Sequence, residues 1–286
     1  MPKVWMYAHG GSGNHGCEAI VRSTCNILSK STDITLCSLC PEEDRRYGIG
    51  EICAITPSVA PYPKVSFAFL RAYLALKGKG DYIPMDKLRY KRTFDRISKG
   101  DIALSIGGDN YCYANVQDYI NQHDMLLERG AKTVLWGCSI EPELLGQPRI
   151  TADLKRYRWI TARESITYHA LQSAGLKNVS YCPDPAFSLP TSQGILPEHF
   201  IPGNTVGINI SPLVLNASKN PERILQNLRA VIQDVLENTD SSIALIPHVV
   251  WEDNDDRVPL QELYEAFRES NRVVLWRIKM PSSSNG

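Results

Sequence analysis

Apolar positions along this chain alternate between short continuous runs and longer stretches in which they recur at helical spacing. A continuous apolar run is typical of a strand covered on both faces, and recurrence every three or four positions is typical of a helix. This alternation predicts an α/β protein. Strands are predicted at residues 4–7, 33–39, 52–56, 101–106, 133–138, 159–162, 179–182, 205–210, 242–246 and 272–276. Helices are predicted at residues 17–28, 67–76, 116–129, 165–174, 221–238 and 258–270.

The length and one linker-like segment predict two domains. A chain of 286 residues suggests about two domains by the usual size range. Residues 189–204 are rich in Pro, Ser and Gly, and we expect them to link an α/β domain at residues 1–188 to a second at residues 205–286. The second domain has three predicted strands and two long helices, so we expect it to be incomplete, with one sheet face partly bare.

Charge and composition exclude several classes of function. The chain has 31 basic and 31 acidic residues, so no net charge attracts nucleic acid, and no apolar run approaches the length of a membrane span. The N-terminus enters a strand without signal-peptide features, which predicts a cytoplasmic protein. The eight cysteines lie mostly in apolar segments and are predicted to be reduced core residues. Cys37 and Cys40 have C-x-x-C spacing, but no second pair accompanies them, so a core role is favoured over zinc or redox chemistry.

The glycine-rich stretch at residues 9–16 connects the first strand to the first helix. A helix N-terminus with little side-chain bulk before it is a potential anion site, and Glu18 fits the first turn of that helix. The alternative is a turn whose glycines only satisfy the backbone conformation. His15 favours the anion site, because turn geometry does not require a titratable side chain there. The predicted anion-binding residues are Gly11, Gly13, Asn14 and Gly16.

A second glycine turn, Gly107-Gly108-Asp109, follows the strand at residues 101–106. Ligands of open α/β sheets bind outside the carboxyl ends of the strands, so we expect both glycine turns to face one crevice. Asp109 is then either a functional carboxylate or a local cap or Asx turn.

Two further residues follow predicted strands. Arg163 comes after residues 159–162, where it could clamp a carboxylate or phosphate, or pair with Glu164 or Asp184. His248 comes after residues 242–246 and is either a group facing the interdomain cleft or an ordinary surface histidine. The irregular segment at residues 57–99 is interpreted as a cover or gate of a cleft. A membrane-surface helix is the alternative, disfavoured because Arg71, Lys77 and Lys79 form no continuous basic face.

Five motifs, GGSGNHGCEA, SIGGDN, TARES, PDPAF and IPH, resemble in their order the polysaccharide pyruvyl transferase family, over residues 4–276. The resemblance implies two Rossmann-like domains in a GT-B-like arrangement. It also implies phosphoenolpyruvate as donor and, as acceptor, a sugar of a surface polysaccharide, which could be lipid-linked; the product is a pyruvate ketal. An oligomer is compatible with it. The family's Arg-x-His segment near the C-terminus is not found, so we expect a truncated chain with little or no activity.

The chemistry of this donor suggests roles for the candidate residues. A phosphate and a carboxylate need cationic or N–H partners, the methylene needs an acid, and the sugar hydroxyl needs a base. We assign Arg163 as the clamp, His248 or His15 as proton donor, and Asp109 or Glu18 as base, with no metal and no separate cofactor required. The competing hypotheses are a GT-B glycosyltransferase that uses a nucleotide sugar and a non-catalytic protein that binds sugar or anion.

Overall fold

A computed structural model describes residues 2–28, 32–113, 116–191 and 196–276 of the chain. The strands are β1 Val4–His9, β2 Ile34–Ser38, β3 Ala54–Pro57, β4 Ile102–Ser105, β5 Lys132–Cys138, β6 Trp159–Ala162, β7 Val179–Tyr181, β8 Thr205–Ile208, β9 Ser242–Leu245, β10 Val250–Trp251, β11 Asn254–Asp255 and β12 Val273–Leu275. The α-helices are α1 His15–Ile27, α2 Pro41–Arg46, α3 Phe67–Lys79, α4 Ile83–Phe94, α5 Val116–Glu128, α6 Pro148–Leu154, α7 Ser165–Ser173, α8 Pro212–Ala217, α9 Pro221–Asn238 and α10 Arg257–Ala266. The predicted α/β class is confirmed.

The chain falls into two compact units. The first comprises residues 1–12 and 16–189, and the second comprises residues 13–15 and 190–286. The first unit contains a parallel sheet with the strand order β3-β2-β1-β4-β5-β6-β7. The order reverses between β1 and β4. In doubly wound sheets the crevice at such a reversal is where ligands bind.

Both faces of this sheet are covered. Along β1, Val4 and Met6 join one apolar cluster, and Trp5 and Tyr7 join another on the opposite face. A strand with both faces buried must be apolar at consecutive positions, which explains why its sequence shows a continuous run.

A buried polar network lies within the first unit, centred on Asp153 of α6. Its carboxylate accepts hydrogen bonds from the Tyr111 hydroxyl at 2.5 Å and from His123 Nδ1 at 2.8 Å, and it also pairs with Arg156. The Tyr157 hydroxyl lies 3.1 Å from that of Tyr111. Burial raises the pKa of Asp153, but its hydrogen bonds to His123, Tyr111 and Arg156 outweigh this and hold the pKa below its usual value. The carboxylate is therefore kept ionised by its partners.

The second unit contains a parallel sheet with the order β12-β9-β8. Ile243 and Leu245 of β9 pack on apolar residues of α9 and α10. The opposite face carries small residues, and Thr205 and Ser242 hydrogen-bond there at 2.6 Å. All of β9 is buried. The large bare apolar face that we expected is therefore not found among the described residues of this sheet, because its second face has little apolar area.

Several elements differ from the sequence-based expectation. The first helix begins at His15 instead of Cys17. The helix predicted over residues 67–76 continues to Lys79 and ends at Gly80, whose φ of +65° places it in the left-handed region that terminates helices. The pattern did not predict the helices α2, α4, α6 and α8. Three of these are six or seven residues long, too short for a periodic pattern to stand out.

We expect Tyr111→Phe to destabilise the first unit by about 1.5–3 kcal/mol, because a buried carboxylate loses a charge-assisted hydrogen bond. Chemical denaturation measures the change. Tyr82→Phe, at a largely exposed tyrosine, is the control and should change stability little. Equal stability of the two variants would contradict the assigned role of the network.

Candidate functional site

The candidate site lies at the carboxyl ends of β1 and β4, where the strand order reverses. The β1 backbone is irregular there, because its register against β2 shifts between Met6 and His9. Ala8 has a φ of +61°, a conformation that residues with a side chain seldom adopt. Strain of this kind persists only where the surrounding structure enforces it, and it is often found at functional sites.

Gly107 allows the ends of β1 and β4 to approach each other closely. A Cβ atom on Gly107 would lie 2.6 Å from the Ala8 carbonyl oxygen and would also overlap the Asn110 side chain. Asn110 is fixed in turn by a hydrogen bond from its Nδ2 to Ser105 Oγ at 2.9 Å. The requirement for glycine at residue 107 thus comes from contacts within the protein.

Arg163 is held in a defined orientation at the end of β6. Its Nε donates to Ser139 Oγ at 2.9 Å, and its Nη1 donates to Asp184 Oδ2 at 2.8 Å. A Cβ atom on Gly108 would lie 2.9 Å from the Arg163 Cζ, so the guanidinium also needs glycine at residue 108. Of the two expected ion pairs, the one with Asp184 forms, and Glu164 instead caps α7.

This anchoring leaves part of Arg163 accessible. Its side chain is 26% exposed, and the hydrogen bonds found within the described ranges use Nε and Nη1. Because guanidinium N–H groups lie in the plane of the group, these two bonds fix that plane, and neither of them uses Nη2. The clamp role of Arg163 stays a prediction with a suitable geometry.

Asp109 is exposed and accepts a hydrogen bond from the Tyr113 hydroxyl. This hydrogen bond and the charge of Asp109 raise the pKa of Tyr113 to about 12. The charges of Asp109 and Arg163 both act on the thiol of Cys17, which lies in the first turn of α1. Burial and then Asp109 raise the pKa of Cys17 to about 11, so this thiol is protonated near neutral pH. Asp109 and Arg163 therefore both lie within electrostatic range of the Cys17 thiol.

The other predicted base, Glu18, is engaged in α1. It accepts a hydrogen bond from Arg22 Nε at 2.8 Å, and Arg22 also donates to the Tyr47 carbonyl. To act as a base, Glu18 would have to compete with this ion pair. Asp109, which is more exposed, is the better candidate.

The glycine loop contains one residue with a conformational requirement of its own. Gly11 has a φ of +139°, and a Cβ atom on it would lie 3.0 Å from Cys40 Cβ and would overlap the carboxylate of Glu43. At Gly11, the glycine is therefore explained by backbone conformation and packing, which was the alternative to an anion site. A neighbouring carboxylate also disfavours an anion beside Gly11. Gly16 lies inside the first turn of α1.

A buried pair beside this loop was not predicted from the sequence. His9 Nε2 lies 2.9 Å from Asp44 Oδ1, which also accepts from Ser12 Oγ at 2.6 Å. Burial raises the pKa of Asp44, but its hydrogen bonds to His9, Ser12 and Ser38 hold it below its usual value. The position of His9 at the end of β1 was visible in the sequence. Asp44 was not, because it lies on the unpredicted helix α2.

A cavity of about 190 Å³ opens at the same edge of the first sheet. Ala8 and His9 form its floor, together with side chains from α4 and α5. Tyr90 of α4 donates to Asp118 Oδ2 at 2.6 Å, which fixes one wall. Its lining residues include Ala8, His9, Gly10, Arg89, Tyr119 and Gln122.

His248, His15 and Asn14 belong to the second unit. The His15 N–H donates to the His248 carbonyl at 3.1 Å, and Asn14 forms a β-bridge with Val249. Asp256 holds the His248 segment, because its Oδ2 accepts from the N–H groups of His248 and Val249, each at 2.9 Å. His248 itself is exposed. The structure brings these predicted residues together, but their roles in proton transfer stay predictions.

The described residues also bear on metal binding and on membrane insertion. Among the described residues, no group of three or more His, Cys, Asp or Glu side chains is arranged to hold a metal ion. In the same ranges, no helix combines the length and the apolar character needed to cross a bilayer.

Together, fold and site define a doubly wound α/β protein with a polar site where its strand order reverses. A family model, polysaccharide pyruvyl transferase, matches residues 14–281. The chain therefore belongs to the polysaccharide pyruvyl transferase family. The match extends past Trp276, where we expected the resemblance to end. No curated protein sequence is significantly similar to the chain.

Three solved structures are similar to the chain at low identity. HepE of Anabaena, in complex with UDP and glucose, is 11% identical, with a TM-score of 0.48 over 96% of this chain and 68% of that one. A functionally uncharacterized protein of Klebsiella pneumoniae is 15% identical, with a TM-score of 0.34 over 97% and 93%. UGT73P12 of Glycyrrhiza uralensis, complexed with glycyrrhetinic acid 3-O-monoglucuronide, is 10% identical, with a TM-score of 0.45 over 98% and 69%. With TM-scores below 0.5, these similarities do not bear on the ligands of this chain.

We expect Gly108→Ala to weaken phosphoenolpyruvate binding by displacing the Arg163 guanidinium, which a Cβ atom would overlap. Isothermal titration calorimetry measures the affinity. Gly146→Ala is the matched control, because a Cβ atom there meets nothing within 4 Å. Unchanged affinity in the folded Gly108→Ala protein would contradict the role assigned to this contact.

The cysteines differ in accessibility more than the sequence suggested. All eight are free, but Cys182, expected in the core, is exposed, as is Cys40. Burial raises the pKa of both Cys37 and Cys138 to about 12, which suppresses the reactive thiolate.

We expect iodoacetamide to label Cys182 and Cys40 first in the native protein and to leave Cys37 and Cys138 unmodified. Mass spectrometry of timed samples gives the order. In denaturant all eight cysteines should react. Early native labelling of Cys138 would show that the end of β5 is less protected than the structure indicates.

Proposed function

We propose that the protein transfers pyruvate from phosphoenolpyruvate to a carbohydrate as a ketal. Family membership supports a transferase of this kind. The observation that carries the proposal is the anchored, partly exposed guanidinium of Arg163, whose Nη2 N–H groups are not used by Ser139 or Asp184 and can donate to the carboxylate or the phosphate of this donor.

The proposed reaction balances without a change of oxidation state. A proton adds to the donor methylene, and a sugar hydroxyl forms a bond to the adjacent carbon and loses its proton. The bond from that carbon to the phosphate oxygen then breaks, and a second hydroxyl of the same sugar closes the ketal. Of the two hydroxyl protons, one replaces the proton used at the methyl group and the other leaves with phosphate.

Each step requires a group that the chain offers. Arg163 would hold the donor anion and stabilise the charge on the departing phosphate. Asp109 would accept the hydroxyl proton, since its carboxylate is exposed and accepts a hydrogen bond from the Tyr113 hydroxyl. His248 or His15 would supply the proton for the methylene. Asn14 would add a neutral donor to the anion.

The test is to incubate the protein with phosphoenolpyruvate and a panel of free and lipid-linked carbohydrate acceptors. Phosphate release and the new ketal methyl group are followed by NMR. Nucleotide sugars are tested in parallel. Consumption of a nucleotide sugar with phosphoenolpyruvate left intact would support a glycosyltransferase. Binding of phosphoenolpyruvate without turnover on any acceptor would support a non-catalytic protein.

We expect Arg163→Lys to raise the KM for phosphoenolpyruvate about 10- to 150-fold, because charge is kept but the planar fork is lost. Steady-state kinetics measure the change. Arg149→Lys, at an exposed arginine that donates to Gln117, is the control and should match the parent. A Lys variant with the parent's KM would remove Arg163 from the site.

A further inference from the structure

Helix α3 exposes large apolar side chains to solvent in an unusual arrangement. Phe67, Leu70 and Leu74 are 81%, 52% and 59% exposed, and Val65 before the helix is 99% exposed. The three helical positions are spaced i, i+3 and i+7, so they lie on one face. The buried residue of α3 is Ala72, which lies on the other side, where the helix packs against α4. The outward face is therefore a continuous apolar stripe.

The charged residues in and before α3 are all basic. Residues 57–80 contain four basic residues and no Asp or Glu, although the whole chain has a net charge of zero. Helical spacing places Arg71 on one flank of the apolar stripe and Lys77 on the other. Lys77 also lies over the ring of Tyr73, with Nζ 5.9 Å from its centroid. The basic residues are Lys64, Arg71, Lys77 and Lys79.

We propose that α3 and the turn before it form a docking surface for an anionic lipid bilayer. Apolar and aromatic side chains flanked by Lys and Arg are the composition that binds the boundary between headgroups and acyl chains. A helix of 13 residues is about 20 Å long, shorter than the hydrocarbon core of a bilayer, so it would lie along the surface. The exposed stripe thus favours the membrane-surface interpretation of residues 57–99 over the cleft cover.

A second copy of the chain fits this face less well. Two such faces would bring together four basic groups, Arg71 and Lys77 of each copy, with no acid from residues 57–80 to balance them, whereas an anionic surface neutralises them.

The helix is also formed in advance of any contact. The side chain of Ser66 caps its start by accepting a hydrogen bond from the Phe69 N–H at 3.1 Å, and Gly80 ends it. Binding therefore does not have to order this segment.

Vesicle flotation of the full chain tests the proposal, and it does not depend on any catalytic activity. We expect binding to phosphatidylglycerol-containing vesicles, weak binding to pure phosphatidylcholine vesicles, and release at high salt. Removing one basic residue should lower the partition coefficient about fivefold. Arg71→Gln with Lys77→Gln should therefore lower it roughly 25-fold, and Leu70→Ser with Leu74→Ser by at least about tenfold.

Matched controls lie elsewhere on the surface. Leu213→Ser with Val214→Ser changes two exposed apolar residues of α8, and Lys155→Gln with Lys177→Gln removes two exposed charges. Both should bind vesicles like the parent, and circular dichroism checks that every variant is folded. Equal binding to neutral and anionic vesicles, or variants of α3 that bind like the parent, would overturn the proposal. The proposal would also be overturned if sedimentation detected a dimer, vesicles were not bound, and the Leu70→Ser with Leu74→Ser variant no longer formed that dimer.

Discussion

The close approach of β1 to β4 at their carboxyl ends is the constraint on which the site depends. Gly107 lies so near the Ala8 carbonyl that a side chain would not fit, and Ala8 adopts a strained conformation at that point. The strain is stabilised by burial on both faces of β1 and by pairing with strands on each side. A rigid, doubly covered sheet can therefore hold an irregular strand end that an isolated loop could not.

Close packing at this edge of the sheet also determines how the charged guanidinium of Arg163 is oriented. Arg163 is oriented by Ser139 and Asp184 and lies directly over Gly108. Asp184 holds the guanidinium in position but also reduces its net attraction for an anion. A ligand of Arg163 would therefore depend on the direction of the Nη2 N–H groups as well as on charge. This is the situation in which arginine and lysine differ most.

The sequence predicted those parts of the structure that local chemistry determines. Helix α9 spans Pro221–Asn238, as the Asn220-Pro221 start signal and the apolar spacing predicted. Strand β6 also has the predicted bounds. Long-range contacts determine the rest. The shift of register in β1 and the environment of Asp44 depend on neighbouring strands and helices, which no local pattern encodes. For Arg163, both alternatives were visible in the sequence, and only packing decided that Asp184 is the partner.

Helix α4 relates the site to the exposed face of α3. It packs against α3, whose outward stripe is apolar with flanking basic residues, and it contributes Arg89 and Tyr90 to the cavity that Ala8 also lines. All of these residues belong to the first unit. A bilayer bound at α3 would therefore lie one helix away from the carboxyl edge of the sheet. An acceptor with a lipid anchor and a polar head could then reach that edge without leaving the membrane. Its diffusion to the site would take place within the plane of the membrane.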